Sequence, residues 1–295
     1  MTNKNLILPF YKINEIKMPF IVCKYNNNEG KETKGLFLID SGSKDNILPQ
    51  YVADTFDHLE YTNEVVNVCG LGENNSVCKT ANAQVFLKGQ EYCVRFNVSN
   101  DVNFDMMFGP GVMLGILGSS FLRQYELTVD FKNKCLRTSN EENGIAMKED
   151  TFLFPMSCGM KSYGVPLVRF TNGGKTLYGV ADSGANVSLM SQSGVKDMTE
   201  IELQDNECQI SGIVSQNTIN HTAIAAISLL SINEKDREHM KLIKVIDEFN
   251  LLPSDYVLNP GEDLPPISAL IGTEFMLENK WILDYKHGFI YSSAA

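Results

Sequence analysis

Short runs of β-branched and aromatic residues recur along the chain between clusters of Gly, Asn and Pro. They lie at 20–25, 35–39, 65–68, 85–87, 92–98 and 127–131, and their length and spacing predict a mostly β protein. NNNEGKETKG at 26–35 and TNGGKT at 171–176 sit between neighbouring apolar runs as hairpin turns would. Helical spacing is sparse. The segments following Gly118 and Gly272 are expected to be helical, and Met240, Ile243, Ile246 and Phe249 predict an amphipathic helix over 233–251.

The pattern is written twice. GLFLIDSGSKDNILPQ (35–50) aligns with LYGVADSGANVSLMSQ (177–192), which sets Asp40 over Asp182 at an offset of 142. The same offset carries Gly70 onto Gly212. Further on, ILGSSFLRQYELTVDF aligns with LIGTEFMLENKWILDY, with Gly118 over Gly272 and Asp130 over Asp284 at an offset of 154. The second copy therefore holds an insertion of 12 residues, the expected helix near 233–251. The polar stretch 138–150 has linker composition, so the copies are taken as residues 1–145 and 150–295.

Composition narrows the function classes. With 43% hydrophobic and 21% charged residues the chain can bury two cores and is not intrinsically disordered. A net charge of −11 disfavours phosphate backbones and anionic lipid, so neither nucleic acid nor membrane is an expected partner. The longest nearly apolar run, 223–230, falls far short of the roughly 20 residues that span a bilayer. No signal peptide of usual length can be drawn at the N-terminus, and a cytoplasmic location is expected. Seven cysteines with no CxxC pair read as reduced thiols and offer no zinc site.

Several motifs fail on spacing. Gly173-Gly174-Lys175-Thr176 ends like a phosphate-binding loop, but Arg169 stands where its first glycine belongs. Gly70-Leu71-Gly72 lacks the third glycine of a dinucleotide loop, because Asn75 takes that place. The four histidines are scattered and form no HExxH. What remains is an aspartate after an apolar strand, twice, as Asp40-Ser41-Gly42 and Asp182-Ser183-Gly184. One such segment is an ordinary turn. Two, on homologous lobes about a pseudo-twofold axis, would bring their carboxylates together.

Each half resembles the aspartic proteases, the superfamily of pepsins and retroviral retropepsins. The resemblance rests on the hydrophobic-hydrophobic-Asp-Ser-Gly segments, on Ile116-Leu117-Gly118 and Leu270-Ile271-Gly272, and on the closing Asp130-Phe131 and Asp284-Tyr285. It implies a bilobal fold of two homologous β-barrel-like, retropepsin-like lobes, with Asp40 and Asp182 as the catalytic pair. It also implies that Ser41 and Ser183 cross-link the lobes, and that Gly42 and Gly184 bring N–H groups to the carboxylates. Flap hairpins are implied at Gly70, Leu71 and Gly72 and at Gly212. Cys69 and Ser211 stand where a pepsin flap carries tyrosine.

Two carboxylates about 3 Å apart share one proton, so one can act as base and the other as acid on a water between them. The expected activity is endoproteolysis of an extended peptide or protein substrate by a monomer, with no metal and no cofactor. Two alternatives use the same residues: a catalytically silent peptide-binding protein of the same fold, and a glycosidase, whose carboxylates would stand at least about 5 Å apart.

Overall fold

The computed structural model describes residues 5–69, 75–139, 151–199, 201–210, 218–233, 236–251 and 267–293. The first half runs β1 (Ile7–Pro9), β2 (Tyr11–Ile13), β3 (Ile16–Asn26), β4 (Glu32–Asp40), β5 (Asn46–Pro49), α1 (Gln50–Ala53), β6 (Leu59–Cys69), β7 (Asn75–Leu87) and β8 (Gln90–Ser99). It continues through α2 (Asp105–Phe108), β9 (Met113–Gly118), α3 (Ser119–Gln124), β10 (Leu127–Asp130) and β11 (Cys135–Thr138). The second half opens with β12 (Thr151–Pro155), α4 (Ser157–Ser162), β13 (Leu167–Asn172), β14 (Lys175–Ala181), β15 (Ser188–Met190), α5 (Gln192–Lys196) and β16 (Ile201–Ile210). It closes with β17 (Thr218–Asn233), β18 (Asp236–Leu251), β19 (Ala269–Ile271), α6 (Thr273–Glu278), β20 (Ile282–Asp284) and β21 (Phe289–Ser293). The architecture is mostly β and bilobal, with short helices at the turns.

β4 shows why the chain takes this form. Its outer end alternates, whereas Leu36 to Asp40 are all buried, as expected of a strand covered on both faces. Phe37 and Ile39 face the main core with Leu117, while Leu36 and Leu38 face a second cluster with Phe20, Phe104 and Ile116. β4 lies parallel to β9, and β5 runs antiparallel to β9 on its other edge. The second half repeats the arrangement with β14 parallel to β19 and β15 antiparallel to β19. The two halves meet in one sheet, in the order β1-β11-β10-β20-β21-β12, where Val129 of β10 pairs with Leu283 of β20. That junction holds the ends of both lobes in a common frame.

Gly118 and Gly272 sit where the chain crosses itself. The N–H groups of Ser119 and Ser120 bond to the carbonyls of Ser43 and Lys44, and those of Thr273 and Glu274 to the carbonyls of Ala185 and Asn186. A Cβ on Gly118 would overlap the Asp45 carbonyl and lie 2.7 Å from that of Ser43; one on Gly272 would overlap the Val187 carbonyl. Backbone cannot yield as a side chain tip can. Gly118→Ala and Gly272→Ala are each expected to destabilise the fold by about 3 kcal/mol, read as a lower urea midpoint at unchanged slope.

The expected helix over 233–251 is corrected: β18 is a strand, paired along its length with β17 and, at its end, with β15. Leu242, Ile243, Val245 and Ile246 satisfy either period, and the β-branched residues among them suit a strand. The non-local partner decides. β15 takes β18 as its parallel neighbour just as β5 takes β8, so the lobe requires a strand here. The hairpin spans 34 residues, Thr218 to Leu251, against 25, Asn75 to Ser99, in the first half, and those nine extra residues are most of the insertion. The short helices expected after Gly118 and Gly272 are α3 and α6. TNGGKT is a two-residue hairpin turn with Gly173 and Gly174 both at positive φ. Most of the expected boundary at 138–150 lies outside the described residues, as do Gly70, Leu71, Gly72, Ser211 and Gly212. No helix among the described residues is long and apolar enough to cross a membrane.

Candidate active site

Asp40 is the last residue of β4, and Asp182 immediately follows β14. Each strand is buried at that end, so each aspartate is delivered from the core to the contact between lobes. The serines beside them close this contact. Ser41 Oγ donates to the Ala181 carbonyl at 2.6 Å, and Ser183 Oγ donates to the Ile39 carbonyl at 2.6 Å. Reciprocally, Ser41 N–H donates to Ser183 Oγ at 2.8 Å and Ser183 N–H to Ser41 Oγ at 2.9 Å. Both hydroxyls are fully buried, so each of these four bonds, if broken, leaves a desolvated polar atom.

The glycines set how closely the carboxyls approach. Gly42 N–H and Ser43 N–H both donate to Asp40 Oδ1 at 2.9 Å, and Gly184 N–H donates to Asp182 Oδ1 at 2.9 Å. A Cβ on Gly42 would fall on the Asp182 carboxyl, and one on Gly184 on the Asp40 carboxyl. Each lobe thus omits a side chain where the other lobe inserts its aspartate. The two carboxyls hydrogen-bond directly to one another.

A further layer supports the loops. Gly118 N–H donates to Asn46 Oδ1 at 2.8 Å, and Gly272 N–H to Ser188 Oγ at 3.0 Å. Ser119 Oγ donates to the Ser41 carbonyl at 2.8 Å, and Thr273 Oγ1 to the Ser183 carbonyl at 3.0 Å. None of these four was singled out from sequence. The signal was in the repeat itself, which aligns Asn46 with Ser188 and Ser119 with Thr273, polar over polar beside the motif.

The electrostatics of the pair are unequal. Burial raises the pKa of Asp40, opposed first by the hydrogen bond from Asp182 and then by the backbone N–H donors. Asp182 is held well above the usual carboxylate range, by burial first and then by the negative charge of Asp40. Both shifts run the same way, as expected of two buried carboxyls that hold one proton between them. Asp40 is only 7% exposed, while Asp182 keeps partial exposure. Among the described residues no cluster of three or more His, Cys, Asp or Glu side chains is arranged to hold a metal ion.

This inequality has a consequence for stability. A carboxyl raised above its ordinary value of 3.8 binds its proton in the folded state at pH values where the unfolded chain has lost it. Stability is therefore fully present below that value and falls as pH rises through it towards the folded pKa. Asp182→Asn removes the penalty. Its Tm is expected to exceed the wild type by on the order of 2–4 °C at pH 7, the gain vanishing below pH 3.8. Equal Tm differences at pH 7 and pH 3 would contradict a raised Asp182 pKa.

No protein-family model and no curated protein matches this chain. Among solved structures, the crystal structure of aspartic proteinase from Irpex lacteus superposes with a TM-score of 0.55, covering 99% of this chain and 98% of that one at 12% identity. A likeness at that identity concerns the fold: mostly β, bilobal and pepsin-like.

Proposed function

We propose that this chain is an aspartic endopeptidase, two retropepsin-like lobes fused in one polypeptide, that hydrolyses peptide bonds with a water activated between Asp40 and Asp182. The observation that carries the proposal is the buried carboxyl pair, brought together across the contact between lobes by the reciprocal serine bonds, each carboxyl raised above its ordinary range by burial. The Asp40 carboxylate takes a proton from the water, whose oxygen adds to the scissile carbonyl carbon. Asp182 gives its proton to the carbonyl oxygen, so no free oxyanion forms. The proton gained by Asp40 then passes to the leaving nitrogen as the C–N bond breaks, and Asp182 recovers a proton from the tetrahedral intermediate. Both carboxyls end the cycle as they began.

The same geometry weighs against a glycosidase, since carboxyls in direct hydrogen bond leave no room for a separation of about 5 Å or more. The substrate proposed is an extended peptide, bound by main-chain hydrogen bonds as an added strand. One chain supplies both aspartates, so the proposal needs no second copy. Incubation with a diverse peptide library at pH 3–8, followed by mass spectrometry, tests it. Cleavage products that disappear in Asp40→Asn are expected. An unchanged library throughout that range, or products that persist in the variant, overturns the proposal.

A further inference from the structure

The pair is built from matched halves, yet one hydroxyl beneath it has no match. Tyr285 follows β20 and is 7% exposed; its repeat partner is Phe131, which has no hydroxyl to give. The Tyr285 hydroxyl lies 2.8 Å from Ser119 Oγ. Ser119 has one hydroxyl proton and uses it on the Ser41 carbonyl. The Tyr285 hydroxyl is therefore the donor in their bond.

The acceptor carbonyl belongs to a particular peptide unit. The carbonyl of Ser41 and the N–H of Gly42 are the two ends of one amide, and that N–H donates to Asp40 Oδ1 at 2.9 Å. A continuous chain of donors therefore runs from Tyr285 through Ser119 and the Ser41–Gly42 amide to the Asp40 carboxylate. Each bond in such a chain polarises the next. An amide whose oxygen accepts a hydrogen bond carries a more positive N–H, which favours the ionised carboxylate beyond it. In the second lobe Thr273 donates to the Ser183 carbonyl, and Gly184 N–H, of the same amide, donates to Asp182. Asp40 already accepts from Ser43 N–H as well as from Gly42, and the tyrosine hydroxyl adds a second difference behind the amide, on the same side of the pair.

Resting on the aspartic-protease reading above, we propose that Tyr285 and Ser119 are positioning residues that assign the base role to Asp40 by polarising its supporting amide from the opposite lobe. Tyr285 is suited to this. Burial, and then the negative charges of Asp40 and Asp182, raise its hydroxyl pKa, so it stays a donor wherever the pair works. Among the described residues, the titratable groups that face the pair are each other and this tyrosine.

The test is Tyr285→Phe, which deletes one oxygen, followed by Ser119→Ala and the double variant. Carbon-13 titration of the aspartate carboxyls, which needs no turnover, is expected to move the lower of the two macroscopic pKa values upward by about 0.5 pH unit in Tyr285→Phe. The acid limb of the kcat/KM profile should move with it, kcat falling about three- to tenfold and KM holding. Ser119→Ala should reproduce the shift, and the double variant should add little to either single one. A Tyr285→Phe or Ser119→Ala protein that loses thermal stability while both titrations stay in place would reduce the chain of bonds to scaffolding and overturn the proposal. Should the wild type cleave nothing, the carboxyl titration still decides this point, and only the protease reading fails.

Discussion

Asp40→Asn and Asp182→Asn are each expected to lower kcat by at least about 10³-fold while leaving the fold intact. An amide at position 40 cannot take a proton from water, and an amide at 182 cannot deliver one to the scissile carbonyl as a carboxylic acid does. Each substitution is nearly isosteric, so the backbone donors at Gly42, Ser43 and Gly184 keep an oxygen to bond. The losses should not multiply. A pair acting as one unit is disabled by either change, and the double variant should retain about the activity of the worse single one. Either variant retaining more than a few per cent of wild-type turnover would remove the mechanism. The rate should be highest where the pair carries a single proton, from acidic to near-neutral pH, because the charge of Asp40 raises the second ionisation. A rate still climbing above pH 9 is incompatible with a shared proton.

What made this pair visible in the sequence was repetition. Asp-Ser-Gly after an apolar strand is an ordinary turn when it occurs once. Its recurrence at one offset, together with a second recurring glycine, implied two lobes and a meeting point. Local pattern was also enough for β3, β4, β8 and the Gly173-Gly174 turn, whose signals lie within a few residues. It failed at 236–251, because the neighbours that make β18 a strand are β17 and β15, and β15 lies more than forty residues upstream. Tyr285 was hidden for a related reason. It aligns with Phe131, an unremarkable aromatic pair, and its hydroxyl reaches Ser119 only because β10 and β20 pair antiparallel across the lobes. Roles that depend on one lobe's side chain entering the other are not written in either repeat alone.

The glycines of the two motifs give the second large expected effect. Gly42→Ala would put a methyl group on the Asp182 carboxyl, and Gly184→Ala would put one on that of Asp40. An aspartate is short, and Asp182 is held by Gly184 N–H as well as by its partner carboxyl, so it has little room to retreat. Relief can come in two ways. The carboxyl can turn aside, which breaks the pair, or the lobes can part, which strains the four serine bonds that join them. Both separate acid from base by a large fraction of an ångström, and misplacement on that scale costs on the order of 10²-fold in kcat. The loss of stability should be smaller than for Gly118→Ala, because a side chain rather than a carbonyl gives way. Gly30→Ala provides the control: nothing lies within 4 Å of its Cβ, and its positive φ of 70° strains only a surface turn. It should lose some stability and keep its turnover. Gly42→Ala with wild-type kcat would show that the close approach of the two carboxyls is not what the reaction requires.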